Sequence, residues 1–319
     1  MRSIASRMTA PVLTRITNTI DVRNFGRAVE TNMRFVQYKL KSGEGQQLGA
    51  QKTQSGDIFP VSESDGSVPN SLVQFLEAGS SVYDKAIRLI EECKGAIPLS
   101  EVHLLSPITK NDKVACVGLN YSGHCEEQNI PQPKEPMIFS KFSSVIAGPY
   151  DDVVIPPITD SVDWEVELAV VIGKTAKNVD ETRAQDYVFG YTVAQDISAR
   201  DWQKRRNNGQ FLLGKSMDTF CPLGPAVVTK SEVDPNNLPI KCWVNGELKQ
   251  DGNTSELIFK IDFLIAYLSR IVTLYPGDVI LTGTPAGVGM HRKPPQFLKP
   301  GDVLESEIEG IGRLKNRIA

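Results

Sequence analysis

Apolar and polar positions along this chain alternate in many short runs, and few runs carry helical spacing. Met33-Arg34-Phe35-Val36-Gln37-Tyr38 alternates, and residues 102–107 read as a strand. Lys113–Gly118 and Met137–Phe142 are short apolar runs, the first ending in glycine and the second with Lys141 near its end. Val153–Pro157, Tyr191–Asp196 and Leu223–Val228 have the same character. Asn245-Gly246 separates two further runs and predicts a hairpin with a type I′ turn. Helical spacing is confined to residues 71–76, Tyr83–Cys93 and Ile261–Val272, with a helix opening near Thr182 behind a Thr182 or Asp180 cap. A strand from about Pro300 to Glu309 closes the chain. Many short strands broken by Gly/Pro turns predict a β-rich α+β fold.

One stretch departs from the ordinary polar-out pattern. In Asp163–Gly173, Trp164, Val166, Leu168 and Val170 alternate with Asp163, Glu165, Glu167 and Ala169, after which Val170-Val171-Ile172 is continuously apolar. Period two places Glu165 and Glu167 on one face, opposite the apolar set. An isolated Glu-x-Glu usually faces water, but this pair leads into a run that enters a core. Crowded carboxylates repel, and a divalent cation relieves the repulsion. A third carboxylate, Asp196, ends another strand-like run. Three such groups make half an octahedral oxygen shell, suited to Mg2+, Mn2+ or Ca2+.

Only three histidines occur. His103 falls in an apolar strand and His291 in a basic, Pro-rich loop. His124 alone has a carboxylate at helical spacing, Glu127, which would fix its tautomer and raise its basicity. Gly283–Gly289 is a glycine-rich loop after a buried strand, but no Walker loop or GxGxxG is present, so nucleotide binding is not supported.

Composition narrows the classes further. The 319 residues are 40% hydrophobic and 23% charged, as in globular proteins, and the formal net charge of -3 gives no basic nucleic-acid surface. No apolar run approaches the length of a membrane span. The five cysteines are scattered without a CxxC pair, so neither a disulfide framework nor a zinc site is indicated. Residues 1–32 are basic, hydroxyl-rich and nearly free of acids, the makeup of a mitochondrial transit peptide with cleavage before Met33. Residues 33–106 carry no catalytic constellation and read as a small α/β packing module. Residues 107–319 carry the chemistry.

Six motifs, in order, give the chain a family likeness. They are Val117-Gly118-Leu119-Asn120-Tyr121 with His124; Phe139-Ser140-Lys141; Asp163-Trp164-Glu165-Val166-Glu167; Gln195–Gln203; Gly214-Lys215 with Asp218-Thr219-Phe220; and Thr282–Gly289. From about Val114 to its C-terminus the chain resembles the fumarylacetoacetate hydrolase superfamily. The resemblance implies a mixed β-roll, a homodimer, and Mg2+ or Mn2+ held by Glu165, Glu167 and Asp196. It implies a lid bearing His124 and Glu127, Lys215 facing the substrate's developing charge, and Gln203 and Thr284 on its oxygens. Tyr121 and Lys141 would be further substrate contacts. Two departures stand out: Phe142 replaces a proline common after Lys141, and Asn120 stands where the hydrolase that names the family has an aspartate ligand.

The chemistry expected is that of a small 2-keto acid chelated to the ion, losing its C3 proton to His124 while Lys215 shuttles a proton or binds the enolate. The ion's charge would depress the Lys215 pKa. The branch that the whole chain resembles most, through Cys125–Asn129 and Pro133–Pro136, is mitochondrial (matrix) and implies keto–enol tautomerisation of oxaloacetate. Hydrolysis of an acylpyruvate carbon–carbon bond and decarboxylation of oxaloacetate would use the same ligands.

Overall fold

The computed structural model describes residues 33–43, 45–62, 67–92 and 95–319; the transit segment expected over 1–32 and Cys93 lie outside them. A long mixed sheet runs in the order Phe59–Pro60, Gln47–Gln51, Arg34–Leu40, Cys221–Thr229, Val188–Gln195, Val166–Ile172, Val279–Leu281, Val114–Gly118, Met137–Lys141. A four-stranded sheet, Glu247–Asn253, Pro239–Val244, Val303–Ile308 and Gly312–Arg317, packs beside it. The fold is α+β and strand-rich, as the alternation predicts. Asn245 and Gly246 have φ of 53° and 80°, the positive pair that a type I′ turn requires. The helix expected at Thr182 is a 3-10 segment, Glu181–Tyr187, capped by Asp180, which accepts from the Thr182 amide at 2.9 Å. A last strand, Gly312–Arg317, follows the one expected to close the chain.

The central strand Val166–Ile172 is buried on both faces. Val166, Leu168, Val170 and Ile172 pack towards Ile240, Leu304, Ile308 and Leu314 of the four-stranded sheet and towards the helix Ile261–Ile271. Ala169 and Val171 pack in the core formed with Phe75, Tyr83 and Ile90 from the helices Leu72–Ala78 and Ser80–Glu92. The face that carries the carboxylates is therefore covered as well beyond them, at Ala169 and Val171. The covering comes from a segment some 80 residues earlier, a distance over which periodicity carries no information.

The acidic stretch is also not one continuous strand. Val162–Asp163 pairs with Ser198–Ala199 in a small separate ladder, and regular pairing resumes at Val166. Between them the ladder is replaced by side chains: the Glu165 amide donates to Gln195 Oε1 at 2.9 Å and the Val166 amide to Gln250 Oε1 at 3.0 Å. Register then places the acids. Glu167 lies opposite Ala194 and Val166 opposite Gln195, so Asp196 emerges one residue beyond the pair, its amide donating to the Glu165 carbonyl at 2.9 Å.

Candidate functional site

Glu165, Glu167 and Asp196 each turn one oxygen inward so that these atoms lie within 4.8 Å of one another, and all three residues are buried. Like charges at that separation cost roughly 3.5 kcal/mol per pair at an effective dielectric of about 20. Part of the cost is met by cations of the chain. Lys215 Nζ sits 2.7 Å from Glu165 Oε2 and 2.6 Å from Asp196 Oδ2. Lys141 Nζ lies 2.7 Å from Asp196 Oδ1. Arg200 places one guanidinium nitrogen 2.7 Å from Glu165 Oε1 and Nε 2.8 Å from Asp163 Oδ2.

The three carboxylates are not served equally. Burial penalises the Glu165 charge, but Lys215 and Arg200 outweigh it and hold the carboxyl below its usual range. Burial, reinforced by Asp196 and Glu165, pushes Glu167 well above it, against a single backbone donor, the Gly283 amide at 2.7 Å. Gly283 has φ +105°, a conformation that L side chains rarely adopt, so the loop can present that N–H where other residues would be strained. Asp196 Oδ1, although close to Lys141, makes no well-aligned hydrogen bond. An all-oxygen donor set, an underserved buried oxygen and one carboxylate raised by its neighbours fit a hard divalent cation. For Lys215 burial acts downwards, and Asp196 and Glu165 outweigh it and raise the pKa, the opposite of the direction expected beside a bound ion.

Across the cavity the short helix Ser122–Glu127 carries His124, which is nearly buried. Its Nδ1 lies 2.5 Å from Glu127 Oε1, and Glu127 Oε2 accepts from the Gly287 amide at 2.9 Å. The carboxylate therefore holds the Nδ1–H tautomer and leaves Nε2 with its lone pair. Gln128 Nε2 is 2.9 Å from that Nε2. The cavity between helix and carboxylates measures about 290 Å³, at the small end of ligand sites. His124, Glu165, Glu167, Gln203, Lys215 and Thr284 all face it, and Met137, Phe139 and Phe211 supply apolar wall. Thr284 Oγ1 donates to the Val166 carbonyl at 2.9 Å, and Gln203 Oε1 accepts from Arg200 at 2.8 Å.

Two expected substrate contacts are placed elsewhere. Tyr121 is fully buried behind the helix start, with its hydroxyl unpartnered. Lys141 is buried behind Asp196 and is committed to that carboxylate and to the carbonyls of Ile197 and Lys215. Asn120, the position with an aspartate in the family's namesake, spends its amide on the Phe259 and Thr282 carbonyls and the Phe259 amide, so it braces two loops. Spacing along the chain does not mark two residues that reach the site. Arg200 ties Glu165 to Asp163, and its place inside the Gln195–Gln203 motif was the available signal. His291 lines the cavity, its ring 6.3 Å from that of His124. Only its position two residues past the glycine loop hinted at it.

Residues 113–319 match the model of the fumarylacetoacetate hydrolase C-terminal family. The chain is 54% identical over 288 residues to the human protein named mitochondrial oxaloacetate tautomerase FAHD2A, covering 90% of this chain and 92% of that one. It is 48% identical over 314 residues to Xenopus laevis mitochondrial oxaloacetate tautomerase fahd2, covering 98% of each. Among solved structures, fumarylacetoacetate hydrolase from Exiguobacterium antarcticum superposes with TM-score 0.77 at 35% identity, over 90% of this chain and 99% of that one. The 5-carboxymethyl-2-hydroxymuconate delta-isomerase of Mycobacterium smegmatis superposes with TM-score 0.70 at 34% identity, over 90% and 98%.

Proposed function

The chain belongs to the fumarylacetoacetate hydrolase family, and from that premise we propose that it is a mitochondrial isomerase interconverting the enol and keto forms of oxaloacetate. The observation that carries the reading is that His124, oriented by Glu127, and Lys215 line one small cavity with two of a trio of buried carboxylates. Relatives named mitochondrial oxaloacetate tautomerases, at about half identity over nearly the whole chain, support both the activity and the compartment.

Glu165, Glu167 and Asp196 would hold Mg2+ or Mn2+, which when bound supplies electrophilic stabilisation to the oxygen on which charge develops. The side chains supply the rest. His124 Nε2 takes the C3 proton, and Glu127 on Nδ1 stabilises the imidazolium that results. The Lys215 ammonium donates a hydrogen bond to the C2 oxygen as electron density moves onto it and delivers the proton that completes the enol, and once the product leaves the imidazolium loses its proton to solvent while Lys215 regains one; ketonisation runs the same path backwards. The Gln203 amide NH2 orients the carboxylate, Thr284 turns its hydroxyl proton from the Val166 carbonyl to a substrate oxygen, and the Met137, Phe139 and Phe211 wall limits water. In this reading residues 1–32 direct import, 33–106 extend the catalytic sheet at one edge, and 107–319 carry the site in a homodimer.

Cleavage of an acylpyruvate carbon–carbon bond is the second reading, because the same histidine could activate water and a hydrolase stands among the structural neighbours. The test is purified protein with Mg2+, offered enol-oxaloacetate, followed by its ultraviolet absorbance, and separately acetylpyruvate. Ketonisation above the uncatalysed rate, lost with chelator, is expected. Consumption of acetylpyruvate alone would replace the first reading by the second.

A further inference from the structure

The base implied by the preceding reading is not open in the structure. His124 is held from both sides: Glu127 Oε1 at 2.5 Å on Nδ1, and the Gln128 amide nitrogen at 2.9 Å on Nε2. With the Nδ1 proton committed to Glu127, Nε2 is an acceptor and the Gln128 NH2 its donor. Gln128 ends the helix Ser122–Glu127 with φ -88° and ψ -6°, four residues beyond His124, so a single helical turn brings the amide over the ring. It is half-buried and lines the cavity beside His124. Its amide therefore sits where a water molecule would hydrogen-bond in order to be activated.

We propose that Gln128 is a positioning residue that gates the His124 base, capping Nε2 against water and yielding it to an anionic substrate. The asymmetry between substrate and water follows from hydrogen-bond chemistry. A hydrogen bond to a carboxylate is roughly twice as strong as a neutral one. When a 2-keto dicarboxylate enters, the Gln128 amide can exchange its imidazole acceptor for a carboxylate oxygen, and Nε2 is uncovered next to the carbon that loses a proton. Water brings no anionic acceptor, and it competes with a donor tethered one turn away. The gate thus favours proton transfer over hydrolysis. In hydrolysis a water proton would pass to Nε2, the oxygen would bond to the distal carbonyl carbon, and the carbon–carbon bond would break. The electron pair would go to the enolate of the 2-keto acid, which the imidazolium would then protonate.

The inference rests on His124 being the base, and the experiment separates the two. Wild type, Gln128→Ala, Gln128→Met and His124→Asn are compared as full chains loaded with Mg2+, each with its fold checked by circular dichroism. For each, kcat and KM are measured for ketonisation of enol-oxaloacetate, and pyruvate release is measured from acetylpyruvate. Met keeps the length of the side chain and removes the amide. Both Gln128 variants should raise the ratio of hydrolysis to ketonisation by about five- to tenfold, the occupancy that one net hydrogen bond controls, and should raise KM for oxaloacetate. A merely structural loss would lower both activities together and leave the ratio unchanged. An unchanged ratio in both variants, with ketonisation lost in His124→Asn, overturns the gate alone. Ketonisation retained in His124→Asn, or absent from wild type, overturns the reading beneath it.

Discussion

Asp163→Ala is the substitution whose cost the structure specifies most fully. Asp163 is completely buried and accepts four hydrogen bonds: Arg200 Nε at 2.8 Å, the Gly289 amide at 2.7 Å, the Met290 amide at 3.0 Å and the Trp164 amide at 2.8 Å. Alanine leaves the buried Arg200 with Glu165 as its remaining carboxylate partner and orphans amides in the loop that carries His291. Removing one member of a buried ion pair costs about 3–5 kcal/mol, and each orphaned amide about 1–3 kcal/mol where water cannot reach it. Some relaxation will overlap these costs, so the expected destabilisation is about 4 kcal/mol, near a thousandfold in the folding equilibrium. At about 2 °C per kcal/mol, Tm falls by roughly 8 °C. Equilibrium urea unfolding and calorimetry provide the measurement. Asp163→Asn, which keeps an acceptor oxygen without the charge, should fall between wild type and alanine. A cost below about 1 kcal/mol for Asp163→Ala would refute the claim that the Asp163–Arg200 pair anchors this wall of the site.

Two further outcomes are expected. Mg2+ at a hundredfold excess over its Kd should stabilise the wild type by about 2.7 kcal/mol, and Glu167→Ala should abolish that gain; a metal-induced Tm rise surviving in the variant would break the assignment of the carboxylate trio. The Cys221 thiol is pushed up to about 12, chiefly by burial. Because the folded value lies above an unfolded one near 8.5, its contribution is complete below about pH 8.5 and drains as pH rises towards 12. By pH 10 its share of the loss should be about 2 kcal/mol, beside the shares of the Cys116 and Cys242 thiols, which burial raises in the same direction; the urea midpoint should fall less steeply in Cys221→Ala, and equal slopes in the two proteins would contradict the linkage.

Much of this site is written in short-range pattern. Period two puts Glu165 and Glu167 on one side of the chain, helical spacing pairs His124 with Glu127, and Asn245-Gly246 specifies its own turn, since each depends on backbone geometry within a few residues. The i,i+4 relation of His124 to Gln128 was open to the same reasoning, but glutamine carries no charge to mark it. What pattern cannot express is which surfaces meet. Glu167 is met by the Gly283 amide from a loop 116 residues on, the partner of Asp163 is an arginine 37 residues on, and His291 reaches His124 from the far side of a glycine loop. Lys141 and Tyr121 stand in motifs beside the cavity, yet packing turns one onto Asp196 and the other into the interior. Local sequence determines which chemical groups each strand or turn presents. Whether a group meets solvent, a counter-charge or a substrate depends on the dielectric and the neighbours supplied by distant segments, and only the folded chain brings those together.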